Sequence, residues 1–550
     1  MNPRRLPVTT LLSFLLISSL IGQAVRDPFP VKRQENAGTW LSDGWAAVDA
    51  KKQQKIRTGP AKNVILFIGD GMGVSTLTAA RIFEGQQHGA SGEENRLSFE
   101  DFPYSALSKT YSANQQTSDS APTMSAIITG VKTNEGTFSV NQNIVHADHR
   151  TVTGNETKTL LEYAEESGRS TGVVTTTRVT HATPGACYAH TADRDWESDY
   201  DMKRLGDANT RNGNAEMAKR DLDAYNAKFP DIARQLIEFK YGDGWEVAFG
   251  AGRNKFIPNT KPDPLTPNVK GERTDGRDLT DEWTKKHPAS SVVYNRQQLA
   301  AIDPKKTKHV LGLFATENMQ YESDRKTKQP DEPSLTEMTT KAIDILQQNK
   351  KGYFLMVEGG RIDQAHHEGN AYRALADTVE LSNAVRAAAA KVNLDDTLIV
   401  VTADHSHTLT ISGYPARGNN ILGLVREIGI DGRLAPDYKR DRLGLPFTTL
   451  NYVSGRGYPG AGDTAEGPKF FGPAPKKVTG IKNGRPDLTK VDTTDPAYDQ
   501  EALVPLADET HGGEDVAIFA EGVDAHLIRG SMEENWIFFV MADALRLGRK

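Results

Sequence analysis

Cysteine is almost missing from this sequence: Cys187 is the one thiol in 550 residues. No intrachain disulfide can form, so the stapled scaffold usual in secreted eukaryotic chains of this size is excluded. That absence favours a bacterial periplasmic or extracellular setting. A lone cysteine is more often a small buried apolar residue than a reactive thiol. Charge of one sign is scarce as well. The formal net charge is −6 and the mature chain has no polybasic block, so no nucleic-acid binding is expected. Long apolar runs are missing too. The exception is Leu11 to Ile21, which follows Arg4 and Arg5 and precedes the small residues Gly22 and Ala24. This run is short for a membrane span and has the layout of an export signal, so residues 1–24 are expected to be a signal peptide. No cysteine stands directly after it, and the basic stretch Ala544 to Lys550 has no hydrophobic tail. No membrane anchor is therefore expected.

What is present is an ordinary globular balance, with 25% charged and 37% hydrophobic residues, in a chain long enough for one large domain over residues 25–550. Short apolar runs recur: Asn63–Ile68, Thr171–Thr175, Glu246–Phe249, Val310–Phe314, Tyr353–Val357, Leu398–Thr402 and Val516–Phe519. Helical patterns such as Lys158–Glu166, closed by Gly168, and Ala371–Val392 lie between them. Such alternation predicts an α/β fold with a central, largely parallel sheet flanked by helices. Residues 413–502 differ, being rich in Gly, Pro, Asp and Lys, and predict an irregular insertion.

Polar residues collect where the strands end. Asp70 follows the first run, Glu358 the fifth, and Asp404 with His405 the sixth, while His511 precedes the seventh. In open α/β sheets the ligand crevice lies at the carboxyl ends of the strands. An Asp after a strand is often only a turn former, but several such groups together point to a site. In Glu358-Gly-Gly-Arg-Ile-Asp-Gln-Ala-His-His367, a helix starting near Ile362 puts Asp363 and His367 on one face at i and i+4. For an isolated pair a surface ion pair is the simpler explanation. With Asp404-His405 as a second carboxylate–imidazole pair, zinc becomes the fitting ion, and an all-oxygen set with a hydroxyl suits magnesium.

Read in order, Asn63–Ala80, Phe102–Tyr111, Asp119–Gly130, Gly172–Trp196, Phe354–Leu375, Thr402–Gly413 and Glu509–Gly522 resemble the ordered motifs of the alkaline phosphatase family. The resemblance runs from about Trp45 to Ala544. His181-Ala-Thr-Pro184 and Glu358–Tyr372 are more similar to the animal type than to the enterobacterial one. The resemblance implies hydrolysis of phosphate monoesters through a phosphoserine. Ser120, in Asp119-Ser120-Ala121, matches the nucleophile and Arg194 the phosphate-gripping arginine. Asp363, His367 and His511 match the ligands of a first zinc, and Asp70, Asp404 and His405 those of a second. Asp70, Thr183 and Glu358 match magnesium ligands. Two Zn2+ and one Mg2+ per chain are thus implied. The 413–502 insertion matches the family's crown region, which implies a homodimer. With three divalent ions and Arg194 set against four carboxylates, the remaining positive charge balances a monoester dianion plus a serine alkoxide.

Some positions depart from the pattern. His181 follows the animal type, where enterobacterial members have aspartate. Gln364 replaces the lysine or histidine of those groups. Leu265 and Ala315 stand where the animal calcium site has carboxylates, so no such site is expected. Three other functions compete: a sulfatase, a phosphodiesterase or nucleotide pyrophosphatase, and a non-catalytic phosphate-binding protein. Met124 stands where a sulfatase motif needs arginine, Arg194 and the magnesium set speak against a diesterase, and no ligand is lost as it would be in a degenerate binder.

Overall fold

A computed structural model describes residues 35–459, 469–470 and 485–548. The expected signal peptide and part of the 413–502 insertion lie outside those residues. The first strand, β1 (Asn63–Ile68), reads Asn-Val-Ile-Leu-Phe-Ile and is buried after its first residue. A run without polar alternation is what a strand covered on both faces requires. Val64, Leu66 and Ile68 join one apolar core and Ile65 and Phe67 the other, so the sheet separates two cores.

Seven further strands in chain order are β2 (Tyr104–Lys109), β3 (Ser170–Arg178), β4 (Val247–Ala251), β5 (Ser290–Val293), β6 (His309–Leu313), β7 (Tyr353–Glu358) and β8 (Thr397–Thr402). With the strands Val516–Gly522 and Gly530–Glu533 they form a ten-stranded sheet. Its order is Gly530–Glu533, β2, Val516–Gly522, β8, β1, β7, β3, β4, β6, β5. Val516–Gly522 runs antiparallel to both its neighbours, and the other pairs are parallel. The largely parallel α/β sheet expected from the sequence is therefore present. β2, β5 and Gly530–Glu533, which the apolar runs do not reveal, have more exposed or half-buried residues than buried ones.

Registry decides where the polar residues meet. Ile68 is level with Glu358 on one side and with Thr402 on the other. Asp70, Glu358 and Asp404 therefore leave three adjacent strands at one height. The helix Ser120–Thr129 enters this crevice by its N-terminus. Asp119 caps it by accepting the Ala121 N–H at 3.3 Å, a contact typically worth about 1 kcal/mol. Gly130 ends it at φ +77°, where a Cβ would meet the Phe538 ring at 2.7 Å.

The insertion is not wholly irregular. Leu409–Ile411, Leu450–Gly455 and Ala502–Pro505 make a three-stranded sheet. Its buried Tyr452 places a hydroxyl 2.7 Å from Nδ1 of His366, so this sheet is tied to the helix Arg361–His367. Cys187 is buried, and that burial pushes its thiol well above the usual range, which leaves it unreactive.

The opposite end of the sheet holds a pair of buried acids. Glu165 accepts the Thr171 hydroxyl at 2.6 Å through Oε1, while its Oε2 is buried with no partner. Glu246 accepts the Ser170 hydroxyl and the Thr171 N–H, each at 2.7 Å. Burial, with Asp243 adding to it, raises Glu165 to about 8. A carboxyl raised in the folded state keeps its proton where the unfolded chain loses it. Its contribution is complete below the unfolded value of 4.5 and is lost as pH rises towards about 8. Glu165→Gln should thus match the parent near pH 5 and melt several degrees higher near pH 9. Calorimetry at both pH values checks this, and an unchanged melting temperature at the higher pH would contradict it.

Candidate active site

Ser120 is 1% exposed, at the first turn of its helix. Its Oγ lies 3.3 Å from Asp70 Oδ1 and 3.1 Å from His405 Nε2. Three imidazoles, when neutral, present an Nε2 lone pair here, and the backbone fixes that tautomer. A carbonyl can only accept, so each Nδ1 facing one carries the proton. His367 Nδ1 donates to the Glu509 carbonyl at 2.7 Å, His511 Nδ1 to the Ser118 carbonyl at 2.8 Å, and His405 Nδ1 to the Ser406 carbonyl at 3.3 Å. The Nε2 atoms of His367 and His511 stand 3.0 Å apart, and both lie near Asp363 Oδ1, at 3.3 and 3.4 Å. Two lone pairs and a carboxylate aimed at one point fit a cation there.

The oxygens follow the same logic. Asp404 Oδ1 accepts the Gly71 and His405 N–H groups at 3.1 and 2.9 Å, and its Oδ2 is left buried and unpartnered. Thr175 and Thr177 donate to Glu358 Oε2, leaving Oε1 bare. Asp70 Oδ2 and Thr183 Oγ1 are buried without partners as well. Unsatisfied buried oxygens are costly unless something compensates them. Burial, followed by Asp404, Asp363 and Glu358, pushes Asp70 well above the carboxylate range. Burial raises Glu358 to about 7 and Asp404 to about 6. Carboxylates that repel one another out of water, with bare oxygens between them, suit divalent cations.

Geometry therefore brings Asp70, Ser120, Glu358, Asp363, His367, Asp404, His405 and His511 together, with Thr183 beside Glu358. Among the described residues, ligand-spaced groups are Asp363–His367–His407–His511, Asp70–Asp363–His405 and Asp70–His181–Glu358. A fourth, Asp199–Asp231–Asp275, is already occupied by the buried Arg273 guanidinium, 2.8 Å from Asp231 and 2.6 Å from Asp275.

Arg194 approaches from the other side. Nη1 pairs with Asp119, and Nη2 donates to His181 Nε2 at 3.0 Å. Burial and then Arg194 itself push His181 down to about 3, so its ring is neutral and accepts. Asp119 is held well below its ordinary range: burial opposes this, but Arg194 outweighs it. Gln364, a departure from the family pattern, accepts from Arg361 Nη1, and that guanidinium stacks 3.7 Å from the Tyr321 ring.

Sequence reasoning misses His407. Its Nε2 lies 2.8 Å from Asp363 Oδ1 and its Nδ1 contacts Glu509. Burial would lower its pKa, yet Glu509 and Asp363 hold it up at about 10. With a carboxylate on each nitrogen it is a fixed cation that orients Asp363, not a free ligand. Gly71, at φ +69°, leaves room for it, because a Cβ there would run into the imidazole. The only sequence signal is the alternation His405-Ser-His407, with Glu509 near His511.

A family model described as alkaline phosphatase matches residues 61–547. Over 542 residues the chain is 41% identical to the tissue-nonspecific alkaline phosphatase isozyme of Felis catus, covering 97% of this chain and 93% of that protein. It is 41% identical over 514 residues to the alkaline phosphatase of Gadus morhua, covering 92% and 96%. Among solved structures, alkaline phosphatase from Thermus thermophilus gives a TM-score of 0.58 at 22% identity, covering 91% of this chain and 94% of that one. That from the Antarctic bacterium TAB5 gives 0.55 at 18%, covering 90% and 100%. The structural likenesses speak for the fold. Identity sustained over nearly the whole length decides more: this chain belongs to the alkaline phosphatase family.

Proposed function

We propose that the chain hydrolyses phosphate monoesters to an alcohol and inorganic phosphate, with Ser120 as nucleophile. The observation that carries this is the Ser120 hydroxyl at a buried helix N-terminus, within reach of Asp70 and His405, with Arg194 paired to the adjacent Asp119. Ser120 Oγ forms a bond to phosphorus as the bond to the leaving oxygen breaks, and the serine proton passes through solvent to the departing oxygen, which leaves as the alcohol. Water then breaks the phosphoserine and restores the hydroxyl. Helix N-terminal amides favour the incoming anion, and the planar Arg194 fork can hold two non-bridging oxygens.

Asp363, His367 and His511 would hold one zinc, and Asp70, Asp404 and His405 a second. Asp70, Thr183 and Glu358 would hold magnesium. Bound there, the ions supply charge to the attacking and leaving oxygens and lower the pKa of a coordinated hydroxyl or water. The buried bare oxygens and the backbone-fixed imidazole tautomers support this assignment. The holoenzyme should contain about two zinc and one magnesium per chain, and chelation should abolish monoester turnover until both metals return. Undiminished turnover by protein shown to be metal-free would overturn the scheme.

Export, and assembly as a homodimer, belong to the same reading. Among the described residues no helix is long and apolar enough to cross a membrane. Exposed Tyr414 on the insertion, Leu503 on the strand Ala502–Pro505, and Trp40, Leu41 and Trp45 on the helix Ala37–Lys52, support a second copy as the cover. The purified protein should sediment as a dimer, and a monomer at micromolar concentration would reject that part.

A further inference from the structure

We infer that Arg211 is a positioning residue for phosphate recognition: it fixes the loop carrying Arg194 by gripping the carboxylates on both sides of it. The inference rests on the proposed role of Arg194. Arg211 closes the short turn Ala208–Arg211, outside the crevice, and its side chain is 9% exposed. Its Nη2 donates to Asp193 at 2.5 Å, and its Nη1 reaches Asp195 at 3.4 Å. Nε and Nη2 also bind Asp221, each at 2.8 Å, on the helix Ala215–Asn226. Asp193 and Asp221 have no exposed side-chain surface. One guanidinium therefore ties both neighbours of Arg194 to a separate helix.

The link to Arg194 is short. Asp193 also accepts the Asp195 N–H at 2.8 Å, which closes the turn around Arg194. The Arg194 N–H donates to the Gly136 carbonyl at 2.8 Å, so its backbone is held from both ends. Removing Arg211 takes the shared cation from two buried carboxylates, leaving Asp193 beside His146 Nε2 at 3.2 Å and Asp221 with the Trp196 indole N–H at 2.8 Å, and breaking a buried pair in this way is costly. The cheap relief is to turn Asp193 towards water, which carries Arg194 with it. A displacement of about 1 Å at a bidentate contact weakens grip on the anion. Lysine offers no planar fork and cannot serve Asp193, Asp195 and Asp221 together.

The test measures binding of inorganic phosphate to metal-loaded protein by calorimetry, which needs no turnover, and monoester kinetics beside it. Arg211→Ala should weaken phosphate binding and raise KM about tenfold, with kcat changed less than about threefold. Arg211→Lys, the milder variant should the alanine protein fold poorly, should weaken binding about threefold. In an Arg194→Ala background, Arg211→Ala should change phosphate affinity less than about twofold, because its effect runs through Arg194. Unchanged affinity in folded Arg211→Ala and Arg211→Lys, or an equal loss in both backgrounds, would overturn the inference. A parent enzyme without monoester turnover would instead refute the proposed function, while the phosphate titrations would still decide on Arg211.

Discussion

Exchanging Ser120 for alanine should slow turnover of p-nitrophenyl phosphate by about 10^4-fold or more, because no other hydroxyl replaces the lost nucleophile. Fold and metal content should survive. The position lies just inside the helix, after the Asp119 cap, where alanine is well tolerated. No proposed ion depends on Ser120 alone, since Asp70, Asp404 and His405 remain in place. Quenching the parent enzyme in acid with labelled monoester should leave phosphate on Ser120 and none on the variant. Label on a different residue, or full activity in the variant, would remove Ser120 from its role.

Arg194→Ala should separate monoesters from diesters. A monoester dianion offers three terminal oxygens, enough for Arg194 to take two. A diester has only two and must set its second substituent against the arginine. The charge-assisted fork is thus a contact the diester hardly uses. The variant should lose about 10^2- to 10^3-fold in monoester kcat/KM and far less for the diester with the same leaving group. The surroundings of Arg194 argue for a preset grip. Asp119 holds one arm and a neutral His181 the other at 3.0 Å, so less freedom is lost on binding. Equal slowing of both esters would favour a phosphodiesterase.

The sequence made the centre of this molecule readable and left its margins dark. β1, β7 and β8 are covered on both faces, so they are unbroken apolar runs, and the first polar residues after them, Asp70, Glu358 and Asp404, stand out. β2, with its alternating exposure, and Gly530–Glu533, with two exposed residues, carry no such run. The strand Leu450–Gly455 was hidden for a similar reason, in a Gly- and Pro-rich stretch whose alternation is interrupted. At the candidate site, the residues that the sequence singles out are those with a chemical signal of their own. His407 and Arg211 are not among them, because their roles depend on carboxylates brought to them from elsewhere in the chain: Glu509 in one case, Asp193 and Asp221 in the other.

The interior position of the Val516–Gly522 strand governs the order in which a newly made chain can mature. β2 and β8 are separated by this strand, which pairs with both, so the sheet stays split until residue 522 has left the ribosome. His511 arrives with the same segment. A chain that has made β8 but not this strand leaves one edge of β8 and both edges of β2 unpaired, the kind of surface that invites mispairing. It also lacks one imidazole of the cluster around Asp363. Sheet closure and completion of the imidazole cluster around Asp363 become late, linked events.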